Sequence, residues 1–229
     1  MHMLELNGGT GEDAMFFAQQ ELRVHVTDVS PGMLTQLKHK TIDISSITSE
    51  CCSYTDLQQL QDQGPYDIVF SNFAGLNCSN NLEMVFSQFD SLLKPGGRVV
   101  LVVLPGFCLW ESLLIFRGKF AVATRRFFSS KGRRAKVEGL PFTCWYHSPK
   151  KVKQLMGKDF QHELTEGLCT IVPPSYISSF ASKYPRAFIF LCKLENKFKR
   201  SWPFKYIGDY YIIQFKKNSL SPTPVLSEL

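Results

Sequence analysis

The chain has 229 residues, 44% apolar and 20% charged, with a formal net charge of +6. That balance belongs to a folded globular chain and excludes disorder, collagen-like repetition and a disulfide scaffold. The longest apolar stretch, Val99 to Trp110, is interrupted by Pro105 and Gly106 and is far shorter than the roughly 20 residues of a membrane-spanning helix.

Met3 to Leu6 reads as a strand, Glu12 to Glu21 as a helix, Arg23 to Thr27 as a strand, and Pro31 to Lys40 as a helix capped by Ser30. Ser49 to Tyr54 follows as a third strand, Tyr66 to Ser71 as a fourth, Leu82 to Leu93 as a helix and Arg98 to Leu104 as a fifth strand. Strands alternating with helices predict an α/β chain whose mostly parallel sheet is covered on both faces. The all-apolar fifth strand fits that burial, and Lys94-Pro95-Gly96-Gly97 is expected to end the preceding helix and turn into it. A strand at the very start lacks cover, so Met1-His2-Met3 reads as a trimmed start with a segment missing upstream.

After Pro105 the pattern changes. Phe107 to Phe128 alternates aromatic and basic residues at helical spacing, Gly132 to Gly139 reads as a basic loop, and Phe142 to His147 as a strand. Ser148 caps a helix with Pro149 in its first turn, running to about Met156. Gly167 to Val172 and Asp209 to Lys216 supply the last two strands. The expected organisation is a core over residues 1–106, a lid inserted over 107–139, the remainder of the same domain over 140–217, and a loose tail over 218–229. Between Phe107 and Lys136 eight basic residues face one acid, Glu111, giving +7, so the rest of the chain is near −1.

The seven cysteines are scattered, with no C-x-x-C pair or nearby histidine cluster, and read as free thiols in a reducing compartment without a metal site. The start lacks the regions of a secretory signal, so a cytoplasmic protein is expected.

The first strand runs straight into Asn7-Gly8-Gly9-Thr10-Gly11 and then into a helix. Glycines there allow a tight turn and let a ligand approach bare backbone at a helix N-terminus. The second strand ends on Asp28, 17 residues beyond Gly11, where nucleotide-binding sheets carry an acid that accepts from ribose hydroxyls. An NAD-dependent dehydrogenase shares these two features, and Gly9, Gly11 and Ala14 permit its G-x-G-x-x-G/A spacing. The Leu93-Lys94-Pro95-Gly96-Gly97 segment and the Asp28-Val29-Ser30 continuation argue against it.

Glu5-Leu6 with the glycine loop, Thr27 to Leu34, Tyr66 to Asn72, and Leu92 to Arg98 together resemble the four consecutive signatures of class I S-adenosylmethionine-dependent methyltransferases, closest to the small-molecule domains called type 11. The likeness covers residues 3 to 105 strongly and the remainder only in strand order. It implies a Rossmann-like three-layer sandwich, a mostly parallel seven-stranded sheet with a helical insertion after strand five, and S-adenosylmethionine as cofactor, with S-adenosylhomocysteine as product. It also implies that Glu5 lies near the methionine amino group and that Asn7, Gly8, Gly9, Thr10 and Gly11 form the loop under the cofactor. Asp28 would hold the ribose hydroxyls, with Val29 and Met33 flanking the adenine. Asn7 stands where the loop usually has its first glycine, and Ser53, followed by Tyr54, stands where the family often has an acid for the adenine amino group.

Asn72 and Asn77, after the fourth strand, lie where ligands bind in open α/β sheets. His147 is the candidate general base and Tyr146 its neighbour. In the insertion, Trp110, Phe116, Phe120, Phe127 and Phe128 could wall an apolar pocket, with Arg117, Arg125 and Arg126 for an anionic group. Pro173 to Tyr176 and Trp202 to Phe204 could line the same pocket. The expected function is methyl transfer to a small, acidic or lipid-like acceptor, and the alternative is a silent cofactor-binding or interaction protein. Membrane-surface contact through the basic aromatic insertion and a homodimer stay open, and nucleic acid is disfavoured because the charge is confined to one segment.

Overall fold

The computed structural model describes residues 1–62, 64–127, 132–137, 140–174, 176–177 and 179–219. Its strands are β1 His2–Leu6, β2 Arg23–Asp28, β3 Ile47–Cys51, β4 Tyr66–Ser71, β5 Leu93–Val103, β6 Arg133–Val137, β7 Leu140–Cys144, β8 Phe160–Leu168 and β9 Tyr210–Lys217. Its helices are α1 Glu12–Gln19, α2 Pro31–Lys40, α3 Leu82–Phe86, α4 Phe89–Leu92, α5 Leu109–Leu113, α6 Phe120–Ala123, α7 Pro149–Met156, α8 Ser179–Lys183 and α9 Pro185–Phe198.

Seven strands form one sheet in the order β3-β2-β1-β4-β5-β9-β8, with β9 antiparallel to both neighbours and the other pairs parallel. This is the expected α/β architecture. Alternation along β1 divides the core between the two faces of the sheet. Met3 packs with Val24, Val26, Ala14 of α1 and Leu37 of α2, while Leu4 and Leu6 pack with Val69, Leu101, Phe86 of α3 and Val152 of α7. The strand order reverses between β1 and β4, and the crevice beyond their C-terminal ends is where such sheets bind ligands.

Several elements depart from the expectation for local reasons. β3 ends at Cys51 because its partner β2 ends at Asp28, which leaves Cys52 to Tyr54 outside the sheet. The helix expected over 82–93 is two short ones, and β5 already begins at Leu93, with Lys94 to Gly97 bulging between the pairs Tyr66–Leu93 and Ile68–Arg98. The insertion is not one long helix: Gly118, at φ 70°, ends a 3₁₀ turn over Leu114–Arg117 and separates α5 from α6. Arg133–Val137, read as loop, pairs with Leu140–Cys144 in a separate two-stranded ribbon, so the strand expected at Phe142 to His147 starts earlier and stops before Trp145. The strand expected at 167–172 lies instead at Phe160–Leu168. Past it Cys169 takes φ 53°, and the N–H groups of residues 169 to 172 all donate to the carboxylate of Glu195 on α9 instead of to a strand. The 14-residue helix α9 had no counterpart in the sequence reading. Phe128, Lys131, Ser175 and residues 220–229 of the expected tail lie outside the described residues.

Candidate functional site

β1 delivers Glu5 and Asn7 to the crevice. Asn7 has φ 57°, a left-handed conformation that glycine adopts freely and that asparagine tolerates better than most other side chains, which is how it stands in for the usual glycine. Gly8 cannot be replaced so: a Cβ there would sit 2.3 Å from Val26 Cγ1 on β2. At Asp28 one carboxylate oxygen accepts from Gly9 N (3.0 Å) and the other from Ser30 N (2.8 Å), which ties the loop to the end of β2. Met33 approaches the loop, its Sδ 3.5 Å from where a Cβ on Gly9 would lie. Cys52 N donates to Asp28 O (3.2 Å), so Ser53 and Tyr54 follow directly beyond the ends of β2 and β3. Val29 is exposed.

A cleft of about 240 Å³ opens here, lined among others by Asn7, Gly8, Thr10, Asp13, Asn72 and Phe73. Asn72 Nδ2 donates to Asp13 Oδ2 (2.8 Å) and joins the loop after β4 to α1. The sequence reading gave no role to Asp13 or Phe73, although Phe73, exposed beside Asn72, is an apolar side chain in an otherwise polar turn. Two acceptors in this region are buried without a partner: Glu5 Oε2 and Asn7 Oδ1. Burial, with Asp13 and Asp28 adding to it, pushes the Glu5 carboxyl up to about 8. In the folded chain Glu5 therefore holds a proton that the unfolded chain releases, and the stability this gives is lost as the pH rises through about 8. Glu5→Gln is expected to gain stability relative to wild type as the pH is raised from about 5 to about 9 in urea unfolding of the ligand-free protein. A parallel pH dependence in the two proteins would contradict this.

The other expected residues sit elsewhere. Asn77 is wholly buried: its amide accepts from Leu104 N (2.9 Å) and donates to Leu104 O and Trp145 O. His147 is buried and does not line the cleft; Nε2 meets Ser79 O (2.9 Å), Nδ1 has no partner, and burial lowers its pKa. Tyr146 lies under the Arg126 guanidinium, 5.2 Å from ring centroid to Cζ. Arg125 and Arg126 both bond Glu111, and Arg126 also donates to Pro105 O, Asp209 O (2.9 Å) and Asp209 Oδ1 (2.5 Å). Burial opposes ionisation of Glu111, but these two guanidinium groups outweigh it and hold its carboxyl below the usual range. An apolar cavity of about 260 Å³ separates the insertion from the C-terminal segment, with Trp110, Leu113 and Arg117 on one wall and Pro173, Ile177 and Phe180 on the other. Trp110 Nε1 is buried without an acceptor. Trp202 is exposed and Phe204 stacks near Phe198, so neither forms part of this cavity.

Residues 4–99 match the family model described as a methyltransferase domain. A malonyl-[acyl-carrier protein] O-methyltransferase from Ilyobacter polytropus is 30% identical over 105 residues, 43% of this chain and 38% of that protein, so the chain spans well under half of this curated relative. A SAM-dependent methyltransferase from Methanosarcina mazei superposes with a TM-score of 0.62 at 12% identity, over 95% of this chain and 92% of that one. The 1,6-didemethyltoxoflavin-N1-methyltransferase of Burkholderia thailandensis, solved with S-adenosylhomocysteine, gives 0.53 at 13%, over 95% and 71%. At these identities the structural likeness is one of fold. The glycine loop and Asp28 fall inside the matched stretch, so over residues 4–99 the chain is similar to methyltransferase domains, and over its whole length it shares the fold of the solved S-adenosylmethionine-dependent methyltransferases.

Proposed function

We propose that the chain transfers the methyl group of S-adenosylmethionine to a small acceptor that joins an apolar body to an acidic group. The observation that carries the cofactor half is the pair of buried acceptors without partners, Glu5 Oε2 and Asn7 Oδ1, beside the loop that Asp28 holds in place. With Glu12 and Asp13 on the lining and Glu5 beneath it, able to give up its proton as a cation arrives, this cleft suits a cationic, hydroxyl-bearing ligand. In this reading Glu5 and Asn7 take the ammonium, Asp28 takes the ribose hydroxyls with its remaining lone pairs, and Met33 and Val29 flank the adenine. Ser53 and Tyr54 stand beyond β3 on the adenine side. The cofactor supplies a methyl group already activated on a sulfonium, so the protein's part is alignment and exclusion of water.

The acceptor half rests on the second cavity. Its lining is apolar apart from Arg117, a donor that suits a carboxylate on an apolar body, and Trp110 on the same wall has a buried N–H without an acceptor. The name of the Ilyobacter relative, which sets its methyl on a malonyl group, supports an acidic acceptor. Arg125 and Arg126, bound to Glu111, hold the insertion in place in this reading, and His147 joins the end of β5 to Ser79. The test is transfer of labelled methyl to a panel of apolar carboxylic acids and to matched amines. Turnover of acids, with Arg117→Gln raising KM roughly tenfold while cofactor affinity stays unchanged, is expected for a lost charge-assisted contact. Cofactor binding without turnover of any acceptor would favour the silent cofactor-binding protein.

A further inference from the structure

The insertion carries apolar side chains on its outside. Phe116 is 85% exposed, Phe120 62% and Phe127 54%, with Leu113 and Ile115 also exposed. Exposed Arg117 and Lys119 lie among them and Arg133 and Arg134 just beyond, whereas the one acid from 107 to 137, Glu111, is buried between two arginines. The opposite wall of the apolar cavity repeats this chemistry. Ile177 and Phe180 line it, Tyr184 packs on Phe180, and α9 continues with Ile189 and Phe190, both more than half exposed. Residues 173–200 carry six basic groups, of which Lys199 and Arg200 pair with Glu166 and leave Lys183, Arg186, Lys193 and Lys197, and one acid, Glu195, whose carboxylate is held by four backbone N–H groups. This second basic segment has no counterpart in the sequence reading, which confined the positive charge to the insertion. No helix of the described residues is long and apolar enough to cross a membrane.

We propose that the outer faces of the insertion and of α8–α9, on the two sides of the apolar cavity, form a docking surface for an anionic lipid bilayer. Aromatic side chains seat at the level of the headgroups, the basic groups pair with lipid phosphates, and free acids that would repel them are absent among the described residues of both segments. The cavity lies between these two faces, so an amphiphilic ligand could pass into it from the bilayer. The docking surface does not depend on the methyl-transfer reading.

The test is co-sedimentation of the full chain with phosphatidylcholine vesicles and with phosphatidylcholine–phosphatidylserine vesicles, at low and high salt. Binding is expected to the anionic vesicles only and to weaken with salt. Phe116→Ser with Phe120→Ser, both at exposed positions, should reduce it roughly tenfold or more while the far-UV spectrum and the S-adenosylhomocysteine affinity stay unchanged. Lys119→Glu should weaken it further. Absence of binding to anionic vesicles, equal binding to neutral ones, or undiminished binding by the double serine variant would overturn the proposal. Binding of single-stranded RNA in preference to vesicles would assign the surface to nucleic acid instead, and a dimer dispersed by the serine substitutions would assign it to a second copy.

Discussion

Asp28→Ala is expected to lower the affinity for S-adenosylhomocysteine by roughly 100-fold or more. In the proposed site Asp28 accepts from both ribose hydroxyls; two such bonds to a carboxylate are worth about 1.5–3 kcal/mol each, and alanine would remove both. The same substitution touches the fold, because the carboxylate also accepts from Gly9 N and Ser30 N. With two backbone donors orphaned, its stability should fall by about 1–3 kcal/mol. Asp28→Asn separates the two effects, since its amide oxygen still accepts one backbone bond while the charge is gone. Calorimetric titration and urea unfolding, run on both variants, measure each effect. A folded Asp28→Ala that binds as tightly as wild type would remove Asp28 from the cofactor site.

Glu111→Ala is expected to be among the most destabilising single changes in the insertion. It leaves the buried Arg126 guanidinium with Asp209 as its carboxylate partner among the described residues and removes both bonds from Arg125. Breaking a buried ion pair from one side costs about 3–5 kcal/mol, which for a chain of this size lowers the melting temperature by roughly 6–20 °C. Joint replacement by apolar residues, Glu111→Leu with Arg126→Met, should recover part of that loss, since no uncompensated charge stays buried. The cofactor cleft shares no side chain with this network, so S-adenosylhomocysteine should still bind the single variant below its melting temperature. A melting temperature within about 2 °C of wild type would show that the network contributes little.

The half of the chain with short-range rules was the legible half. Ser30 followed by Pro31 marked α2 to the residue, and the structure has Ser30 Oγ accepting from Met33 N. β1 and β2 were legible as short runs ending at the glycine loop and at Asp28, and β4 and β5 as apolar runs, whereas polar β3 begins two residues before its expected start. The insertion misled because its aromatic spacing is helical while Gly118, in a left-handed conformation, interrupts it, so that it folds as short turns anchored by Glu111. Strand β8 was displaced because residues 169–172 look like strand by composition, yet their N–H groups converge on Glu195, a partner 23 to 26 residues away that no local pattern announces. The same limit applies to the site. The glycine loop and Asp28 are read from neighbours in sequence. The commitments of Arg125, Arg126 and Asn77 are set by Glu111, Asp209, Leu104 and Trp145, which only the tertiary fold brings near.

The most direct test is calorimetric titration of the purified chain with S-adenosylhomocysteine, with NADH as the parallel control. The cleft lined by Asn7, Gly8 and Thr10 of the Asp28-anchored loop, with Glu5 buried beside it, predicts one site, in the micromolar range for S-adenosylhomocysteine, and no heat above dilution for NADH. Binding of NADH, or of neither ligand by the folded chain, would contradict it.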